Sequence, residues 1–396
     1  MRKRVLVITH GLPFPEHGGT KMRNGVLIRR LARDYSVHLR SITWESELHH
    51  LQTNQQHCDS IDVVVAARSP REMWNSIFRA LRERRPVAIA PLYFEEMAGK
   101  ISSFLSAGKA DIILFAESLT ASYLAAVLPG SYQKIVIDFH NIAARQYRSM
   151  TRLGLESSSL MKSIGLSFLM RTWERGYANR ADCCLAVSDS DASWLRKHAP
   201  LTRVEVVPNA VCLSQLLEEP GGGNNLLFVG TMGYLPNADA IVFFCNSILP
   251  LIRLRVPDVK LYVVGVNPPP AVRALEALGN VIVTGEVDDL VPYYQEARVV
   301  IVPMRAGGGT RLKVLEAMSM GRPVVSTSVG CEGLAVTAGE HLMIADQPAD
   351  FANRVVTLLT NPGICRRLSI LARRLVEQQY DSKVLDEPFL KLFGEI

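Results

Sequence analysis

The chain has 396 residues, of which 48% are hydrophobic and 21% charged, and its formal net charge is +6. This composition is typical of a globular protein and excludes extensive disorder. At about 100–200 residues per domain, the length predicts two domains. Because no run of Lys and Arg alternates with aromatic residues, the mild positive charge favours an anionic small substrate or an anionic membrane surface over nucleic acid.

Targeting and redox signals are few. The first apolar run begins at residue 5 and is too short for the core of a signal peptide. No run approaches the ~20 apolar residues that a membrane-spanning helix needs, so we expect a cytoplasmic protein. The seven cysteines are odd in number and never spaced C-x-x-C, which predicts reduced, structural thiols rather than disulfides or a zinc site.

Short β-branched runs alternate with helical patterns along almost the whole chain, which is typical of parallel α/β sheets. The first half has seven candidate strands, at residues 4–9, 37–42, 62–66, 111–115, 134–139, 183–187 and 204–207. The second half has six, at residues 226–229, 260–264, 281–284, 299–303, 323–327 and 341–344. Between the two halves, the sequence EEPGGGNN at residues 218–225 predicts a flexible linker.

We therefore predict an α/β protein of two doubly wound, Rossmann-like domains. They cover residues 1–217 and 226–378, and a helical segment follows at residues 379–396. In open α/β sheets, ligands bind beyond the carboxyl ends of the strands. Two such domains on a flexible linker predict a site in the cleft between them.

Residues 71–85 have an amphipathic helical pattern, with five large apolar side chains on one face and four arginines around it. This pattern suits a helix that lies on an anionic lipid surface. An ordinary helix that docks its apolar face on the sheet has the same pattern, and we favour this second interpretation.

Asp189-Ser190-Asp191 follows the strand candidate at residues 183–187 and offers a D-x-D pattern for a metal ion. Ser188 and Asp189 also stand where a helix N-cap belongs, just before the apolar residues of a helical pattern. We therefore predict an N-cap here and no metal site.

Residues 303–327 read PMRAGGGTRLKVLEAMSMGRPVVST, and this segment carries the most chemistry. A buried strand leads into three glycines, which let backbone N–H groups approach a ligand, and then into a helix N-terminus, which favours an anion. Arg311 and Lys313 stand in the first turn, where the helix dipole disfavours cations. A bound anion explains them better than the alternative that both point to solvent. Glu316 could accept hydrogen bonds from a diol such as a ribose.

This segment resembles the donor site of the family 4 glycosyltransferases, which are retaining enzymes of the GT-B fold. The family motif is Glu-x7-Glu, whose second Glu binds the ribose hydroxyls while amides of the intervening loop bind the diphosphate. Glu316 matches the second Glu, whereas Gly308 stands in place of the first, which leaves the donor sugar open. The resemblance implies that the nucleotide sugar also contacts Gly309, Thr310 and Leu312. The alternative is an ordinary glycine-rich turn between strand and helix.

The resemblance extends to the first domain. Gly18 and Gly19 lie in a loop similar to the family's N-terminal glycine loop, which approaches the donor phosphates or the acceptor. His140 ends the strand candidate at residues 134–139 and resembles the family's His beside the transferred sugar, with Asp138 and Asn141 as supporting residues. Each of these could instead be structural.

The family element that closes the first domain is Ile-Pro-Asn-Gly, and residues 206–210, VVPNA, resemble it. Asn209 is the matching residue. It either forms the turn or lines the cleft, and the sequence leaves both open.

The resemblance also implies contacts from the start of the second domain. Gly230 opens the loop where the family has an Arg and, a few residues later, a Lys that hold the phosphates. Neither cation is present, and Asn237 stands at the second place, so Arg311 and Lys313 are the candidate substitutes. The loops that hold the base in the family correspond to Gly265, Glu286 and Val287.

We therefore expect a two-domain GT-B glycosyltransferase of bacterial surface polysaccharide synthesis, retaining and independent of metal ions and other cofactors. It would move a hexose-type sugar from a nucleotide diphosphate to a glycan or lipid-linked acceptor, with His140, Arg311 and Lys313 as catalytic residues. By resemblance the second domain binds the donor, the first binds the acceptor, and the segment 379–396 crosses back to the first domain.

We expect a cytoplasmic location, or peripheral contact with the cytoplasmic face of the inner membrane. Two alternatives stay open. A GT-B sugar-nucleotide epimerase would bind the same donor without an acceptor. A non-catalytic nucleotide-sugar-binding partner of a transferase would tolerate the missing Glu at Gly308.

Overall fold

The computed structural model describes residues 2–16, 18–66, 74, 76–78, 93–155, 160–213, 216 and 223–396. The chain forms two compact units. Unit 1 consists of Met1–Arg148, Ser159–Pro208 and Asp386–Ile396. Unit 2 consists of Ser149–Ser158 and Asn209–Leu385.

Unit 1 is built on a seven-stranded sheet of order β3-β2-β1-β4-β5-β6-β7, in which every neighbouring pair is parallel. The strands are β1 Arg4–His10, β2 Ser36–Thr43, β3 Ser60–Val65, β4 Ala110–Phe115, β5 Tyr132–Phe139, β6 Cys183–Ala186 and β7 Arg203–Val206. Alternate residues of a strand face opposite sides of its sheet. Leu6 and Ile8 accordingly pack in one core cluster, and Val5 and Val7 in the other.

Helices cover both faces of this sheet, as the two core clusters require. In the first half of the chain the α-helices are Gly19–Asp34, Leu51–Gln55, Glu95–Ala107, Ala143–Arg152, Leu160–Ala178 and Asp189–His198, with 3-10 helices at Glu45–His50 and Ser118–Ala126. The helix Ser382–Glu395 ends the chain. Its residues Phe389 and Phe393 are buried in the second core cluster of unit 1, and Asp386 pairs with Arg30 at 2.7 Å.

Unit 2 has a six-stranded parallel sheet of order β10-β9-β8-β11-β12-β13. The strands are β8 Asn225–Val229, β9 Lys260–Val264, β10 Val281–Gly285, β11 Val299–Val302, β12 Val324–Ser326 and β13 Met343–Ile344. The helices are Leu235–Phe243, Phe244–Ile248, Leu249–Arg253, Pro270–Arg273, Ala274–Leu278, Val291–Glu296, Leu312–Ser319, Pro348–Thr360 and Pro362–Gln379.

The first three of these helices form one run, and Phe244–Ile248 is a π-helical turn within it. Pro250 explains the turn, because its ring lacks an N–H group and clashes with the carbonyl one turn earlier. Contrary to the sequence expectation, the run Leu235–Arg253 is long and apolar enough to cross a membrane by length and composition alone. Half of it is buried in the structure, and core helices of soluble proteins meet the same criterion.

The prediction of two parallel α/β sheets is confirmed. Each of the thirteen predicted strands is present in the described residues, with ends displaced by two residues at most. The predicted amphipathic helix at 71–85 lies outside the described residues except for 74 and 76–78, and so does the predicted linker except for 223–225.

Each sheet has a point where the strand order reverses. In unit 1 it lies between β1 and β4, and in unit 2 between β8 and β11. The loops that leave neighbouring strands at such a point run in opposite directions and open a crevice at their carboxyl ends, where ligands bind.

Candidate functional site

At the reversal point of unit 2, the loops after β8 and β9 approach each other through two glycines. The N–H of Gly230 donates to the Val264 carbonyl oxygen at 3.0 Å. A Cβ atom on Gly265 would lie 1.8 Å from the Gly230 carbonyl oxygen, and Gly265 has φ +149°. Only glycine tolerates both conditions. The two predicted site residues therefore form one tightly packed backbone edge.

The same edge continues to β10. The N–H of Gly265 donates to the Gly285 carbonyl oxygen at 3.0 Å, and Gly285 also has a positive φ, +76°. The next two residues are the predicted base contacts, Glu286 and Val287. The Glu286 side chain is exposed and Val287 is half-buried. The structure thus places these residues on the loop that follows Gly285.

The second loop at this point follows β11 and contains the three glycines. Gly307 and Gly309 have positive φ values of +130° and +67°. The loop is held from two sides: the Gly307 N–H donates to Ser149 Oγ at 3.2 Å, and Thr310 Oγ1 accepts from Asn209 Nδ2 at 2.7 Å. Asn209 is therefore a buried residue that fixes the glycine loop.

Arg311 turns back onto this loop. Its side chain is buried, and Nη1 donates to the Gly308 and Gly309 carbonyl oxygens, the latter at 2.6 Å. The C=O and N–H groups of a trans peptide point in opposite directions. Because Arg311 binds these two carbonyls, the N–H groups of Gly309 and Thr310 are directed away from it. Arg311 therefore orients the loop amides that could receive an anion.

Arg311 is also the N-cap residue of the helix Leu312–Ser319, and its side chain makes no cap hydrogen bond to this helix. The first N–H groups of a helix lack intrahelical acceptors and carry positive potential. The eight-residue helix thus presents amide donors next to the glycine loop.

Lys313 points back toward β8. Its Nζ donates to Asn237 Oδ1 at 2.9 Å and lies 4.2 Å from the centre of the Phe228 ring. A Cβ on Gly230 would come within 2.7 Å of the same Nζ. The Asn237 amide is oriented by its own bond from Nδ2 to the Thr231 carbonyl oxygen, 2.9 Å long. Lys313 thus brings a cation to the place where the resembling family carries its own Lys and this chain has Asn237.

The charge on Lys313 is costly in this environment. Burial and, to a smaller extent, the Arg311 charge lower its pKa to about 7, against the opposing effect of Glu316. Burial also raises the pKa of Glu316, against the attraction of Lys313. The two residues are three apart on one helix, so their side chains lie on the same face. Perturbed, mutually dependent ionisable groups of this kind are typical of functional sites.

Tyr294 belongs to the same environment, although no motif in the sequence points to it. Its side chain is fully buried, and burial followed by the Glu316 charge raises the pKa of its hydroxyl well above the usual value. The only signal in the sequence is a tyrosine in the helical turn Val291–Glu296 just before β11.

In unit 1 the corresponding edge carries His140, directly after β5. Its Nε2 lies 3.1 Å from Asp138 Oδ2. Asp138 is fully buried. Arg23 donates to both of its carboxylate oxygens, from Nε to Oδ2 at 2.7 Å and from Nη2 to Oδ1 at 2.6 Å. Burial alone would raise the pKa of Asp138, but Arg23 and His140 outweigh it and hold the pKa at about 2. The carboxylate therefore stays ionised and orients the imidazole.

Arg23 is a residue that sequence reasoning missed. It lies on the buried side of the helix Gly19–Asp34, where its Nη1 also donates to the Val207 carbonyl oxygen at 2.9 Å. Its signal in the sequence is weak: a charged residue next to the apolar stripe of an amphipathic helix. Buried arginines need such partners, because an unpaired buried charge is strongly destabilising.

Two other predicted features lie in unit 1. Gly18 has φ +92° and is the N-cap residue of the helix Gly19–Asp34, so Gly18 and Gly19 form an exposed helix start after β1. The predicted cap at Ser188 is confirmed, because its Oγ accepts from the Asp191 N–H at 3.2 Å. Asp191 also pairs with Arg145 at 3.0 Å.

Two family models match the chain. Residues 223–361 match one described as glycosyl transferases group 1. Residues 18–215, half of the chain, match the model of Glycosyltransferase Family 4. The chain belongs to glycosyltransferase family 4.

A curated relative of this family 4 glycosyltransferase is an uncharacterized 44.6 kDa protein in the cps region of Klebsiella pneumoniae. The two are 30% identical over 180 residues, which are 43% of this chain and 45% of the relative. The match thus spans less than half of the relative's length.

Solved structures resemble the fold over the whole chain. Sucrose-phosphate synthase from Thermosynechococcus elongatus has a TM-score of 0.72 at 17% identity and covers 100% of this chain and 99% of its own. A variant of S. aureus TarM, in complex with fondaparinux, alpha-GlcNAc-glycerol and UDP, has 0.71 at 11%, with 99% of both chains covered. Anabaena HepE in complex with UDP-glucose has 0.70 at 13%, covering 99% of this chain and 100% of its own. The fold is GT-B, as predicted.

Proposed function

We propose that this protein transfers a hexose-type sugar from a nucleoside diphosphate sugar to a hydroxyl of a glycan or lipid-linked acceptor. The observation that carries the proposal is the cluster at the reversal point of unit 2, where Lys313 meets Gly230 and Asn237 beside the glycine loop. Glycines admit a diphosphate to the backbone, Lys313 adds a cation, and Glu316 adds an acceptor for ribose hydroxyls.

In the proposed reaction the bond between the anomeric carbon and the diphosphate oxygen breaks, and the acceptor oxygen bonds to the same carbon on the same face. Because attack and departure occur on the same face, the configuration is retained. The departing diphosphate takes the acceptor proton, so no protein base is needed. The negative charge that develops on the diphosphate is stabilised by Lys313 and by the loop amides that Arg311 orients. No metal ion takes part in this scheme, and the rate should therefore be unchanged by EDTA.

We assign the acceptor to unit 1 and place His140 beside the transferred sugar, as the family resemblance implies. His140 is suited to this role because Asp138, itself held by Arg23, fixes the imidazole orientation. A preorganised imidazole donates or accepts a hydrogen bond without the cost of ordering it. Its contribution is to position the sugar, and the ionised Asp138 favours a proton on the ring nitrogen that faces it.

The ligands bound in the similar structures indicate which donors to test first. Anabaena HepE is described with UDP-glucose and S. aureus TarM with UDP, so we propose a uridine nucleotide sugar. The relative in the cps region of Klebsiella pneumoniae supports a role in polysaccharide synthesis. The acceptor would then be a growing saccharide or its lipid-linked form.

A thermal-shift screen of UDP, GDP and ADP sugars tests the donor site directly. A ligand at 100 times its Kd stabilises the protein by about 2.7 kcal/mol, which raises the Tm measurably. We expect one nucleotide to do so and to be released as the free diphosphate during transfer. If none of the three nucleotides or their sugars shifts the Tm at millimolar concentration, the proposed donor site is wrong.

Glu316→Ala tests the ribose contact. The loss of a hydrogen bond to a charged group costs about 1.5–3 kcal/mol, so we expect the affinity for the nucleoside diphosphate to fall roughly ten- to a hundredfold. Stability should hold, because burial disfavours the Glu316 carboxylate in the free protein. The exposed Glu340→Ala in the same unit is the matched control and should bind normally.

One observation favours rival functions: no carboxylate stands at Gly308. An assay with radiolabelled donor distinguishes sugar transfer from these rival functions. Transfer gives a labelled saccharide together with free nucleoside diphosphate in equal amounts. An epimerase gives an isomeric nucleotide sugar, and a non-catalytic binding protein returns the donor unchanged while it still raises the Tm.

A further inference from the structure

The helix Leu160–Ala178 has two unlike sides. One side anchors it in unit 1 through the buried residues Met170, Trp173, Glu174 and Ala178. On the other, large apolar side chains face solvent: Ile164 is 57% exposed, Phe168 66% and Leu169 43%. Single exposed apolar residues are ordinary on protein surfaces, but three within six positions of one helix form a patch that calls for a partner.

Basic residues continue this patch along the helix. Ile164, Phe168, Arg171 and Arg175 follow one another at spacings of four, three and four, which places them in one stripe. Arg171 and Arg175 are exposed. We define the outward face by these four residues together with Leu169.

Within residues 160–180, the sequence supplies no acid to the outward face. Glu174 is the only acid between residues 160 and 180, and its side chain is buried on the opposite side. There its carboxyl oxygens accept from the N–H groups of Ala143 at 2.7 Å and Ala144 at 3.0 Å. The outward face is therefore both apolar and purely cationic.

We propose that the outward face binds the surface of an anionic lipid bilayer. The apolar side chains would enter the boundary between headgroups and acyl chains, and the arginines would pair with anionic headgroups. A second copy of the chain is a poorer occupant, because a two-fold contact would set the same arginines against each other. The inference does not depend on the proposed function, since lipid binding is measured without turnover.

Co-sedimentation of the full chain with vesicles tests the proposal. We compare vesicles of 30% phosphatidylglycerol in phosphatidylcholine with vesicles of phosphatidylcholine alone. We expect at least tenfold tighter binding to the anionic vesicles at 0.1 M NaCl and a large loss at 0.5 M, because salt screens the arginines. Equal binding to both vesicles, or none to either, overturns the proposal.

Two double variants separate the contribution of the apolar side chains to vesicle binding from that of the arginines. Ile164→Ser with Phe168→Ser should weaken binding to anionic vesicles at least tenfold. Arg171→Gln with Arg175→Gln should weaken it similarly and remove most of the salt dependence. The matched control is Leu128→Ser with Leu201→Ser, which changes exposed leucines of the same unit outside the outward face and should bind as the unaltered protein does. An unchanged Tm shows that each variant is folded.

Two further outcomes would contradict the assignment. Trp74 and Phe78 are also exposed in unit 1, with their ring centres 6.4 Å apart. If Trp74→Ser with Phe78→Ser abolishes vesicle binding while the helix variants retain it, the lipid contact lies there instead. If light scattering shows a dimer that Phe168→Ser dissociates, the outward face is an interface between copies.

Discussion

Lys313 lies among groups that penalise its charge, and its pKa of about 7 leaves it only partly protonated at neutral pH. A diphosphate beside Nζ would favour the charged form and raise the pKa. We therefore expect nucleoside diphosphate binding to take up protons between about pH 7 and pH 9. Titration calorimetry in two buffers of different ionisation enthalpy measures this uptake, and identical apparent enthalpies would contradict the assignment.

Lys313→Met provides the matched variant, because a thioether chain keeps the packing against Phe228. Affinity should fall roughly ten- to a hundredfold and proton uptake should vanish. The substitution has the opposite effect on the stability of the fold. A lysine whose pKa is lowered on folding costs stability below its folded pKa, and this cost disappears as the pH rises toward 10.5, the ordinary value. The variant should therefore melt higher than the unaltered protein at pH 7, and the difference should shrink at pH 10.

Asp138 and His140 are neighbours with different consequences when replaced. Asp138→Asn leaves Arg23 buried without its carboxylate, and breaking a buried pair in this way costs about 3–5 kcal/mol. His140→Ala removes a half-buried ring and should leave the Tm within a few degrees while it abolishes most transfer. A His140→Ala protein that turns over normally would exclude this residue from the acceptor side.

Among the elements, the loops after β8 and β9 depend most on glycine. Gly265→Ala would place a Cβ against the Gly230 carbonyl in a conformation that L-residues rarely adopt. The backbone strain alone is about 1–3 kcal/mol, and we expect both a lower Tm and weaker nucleotide binding. Gly363→Ala is the control, since a Cβ there meets nothing within 4 Å. Equal behaviour of the two variants would show that the loops can separate freely.

The strands were predictable because their signal is local. A run of β-branched residues such as β11, Val299–Val302, predicts a buried strand from its own composition, without any information on distant residues. The glycine loop after it was predictable for the same reason. The side-chain contacts that orient the charged residues of the site could not be predicted in this way. Lys313 contacts Asn237, 76 residues away in the sequence, and Arg23 contacts Asp138, 115 residues away. Such pairs depend on how helices pack on the sheet, which no local period encodes.

On the scale of the whole molecule, the core of unit 1 includes the end of the chain. Phe393 is fully buried and meets Tyr35 edge to face, with ring centres 6.4 Å apart. Phe393→Ala should cost about 3–5 kcal/mol in unit 1, as large-to-small core substitutions do. Hydrogen exchange should then accelerate in peptides from β1 and β2 and stay unchanged in peptides from β8 and β11. Uniform acceleration in both units would show that they unfold together.

Because Asp386–Ile396 belongs to unit 1, it affects the order in which the two units can fold during synthesis. A ribosome adds roughly 5–20 residues per second, and domains made first usually fold first. Here the core of unit 1 is complete only after Asp386–Ile396 has been made, because Phe389 and Phe393 belong to it. Unit 2, whose long segment Asn209–Leu385 emerges before them, can close its own core earlier. Until Phe389 and Phe393 are made, the nascent chain exposes the apolar side chains of β1 and β2 that share this core cluster.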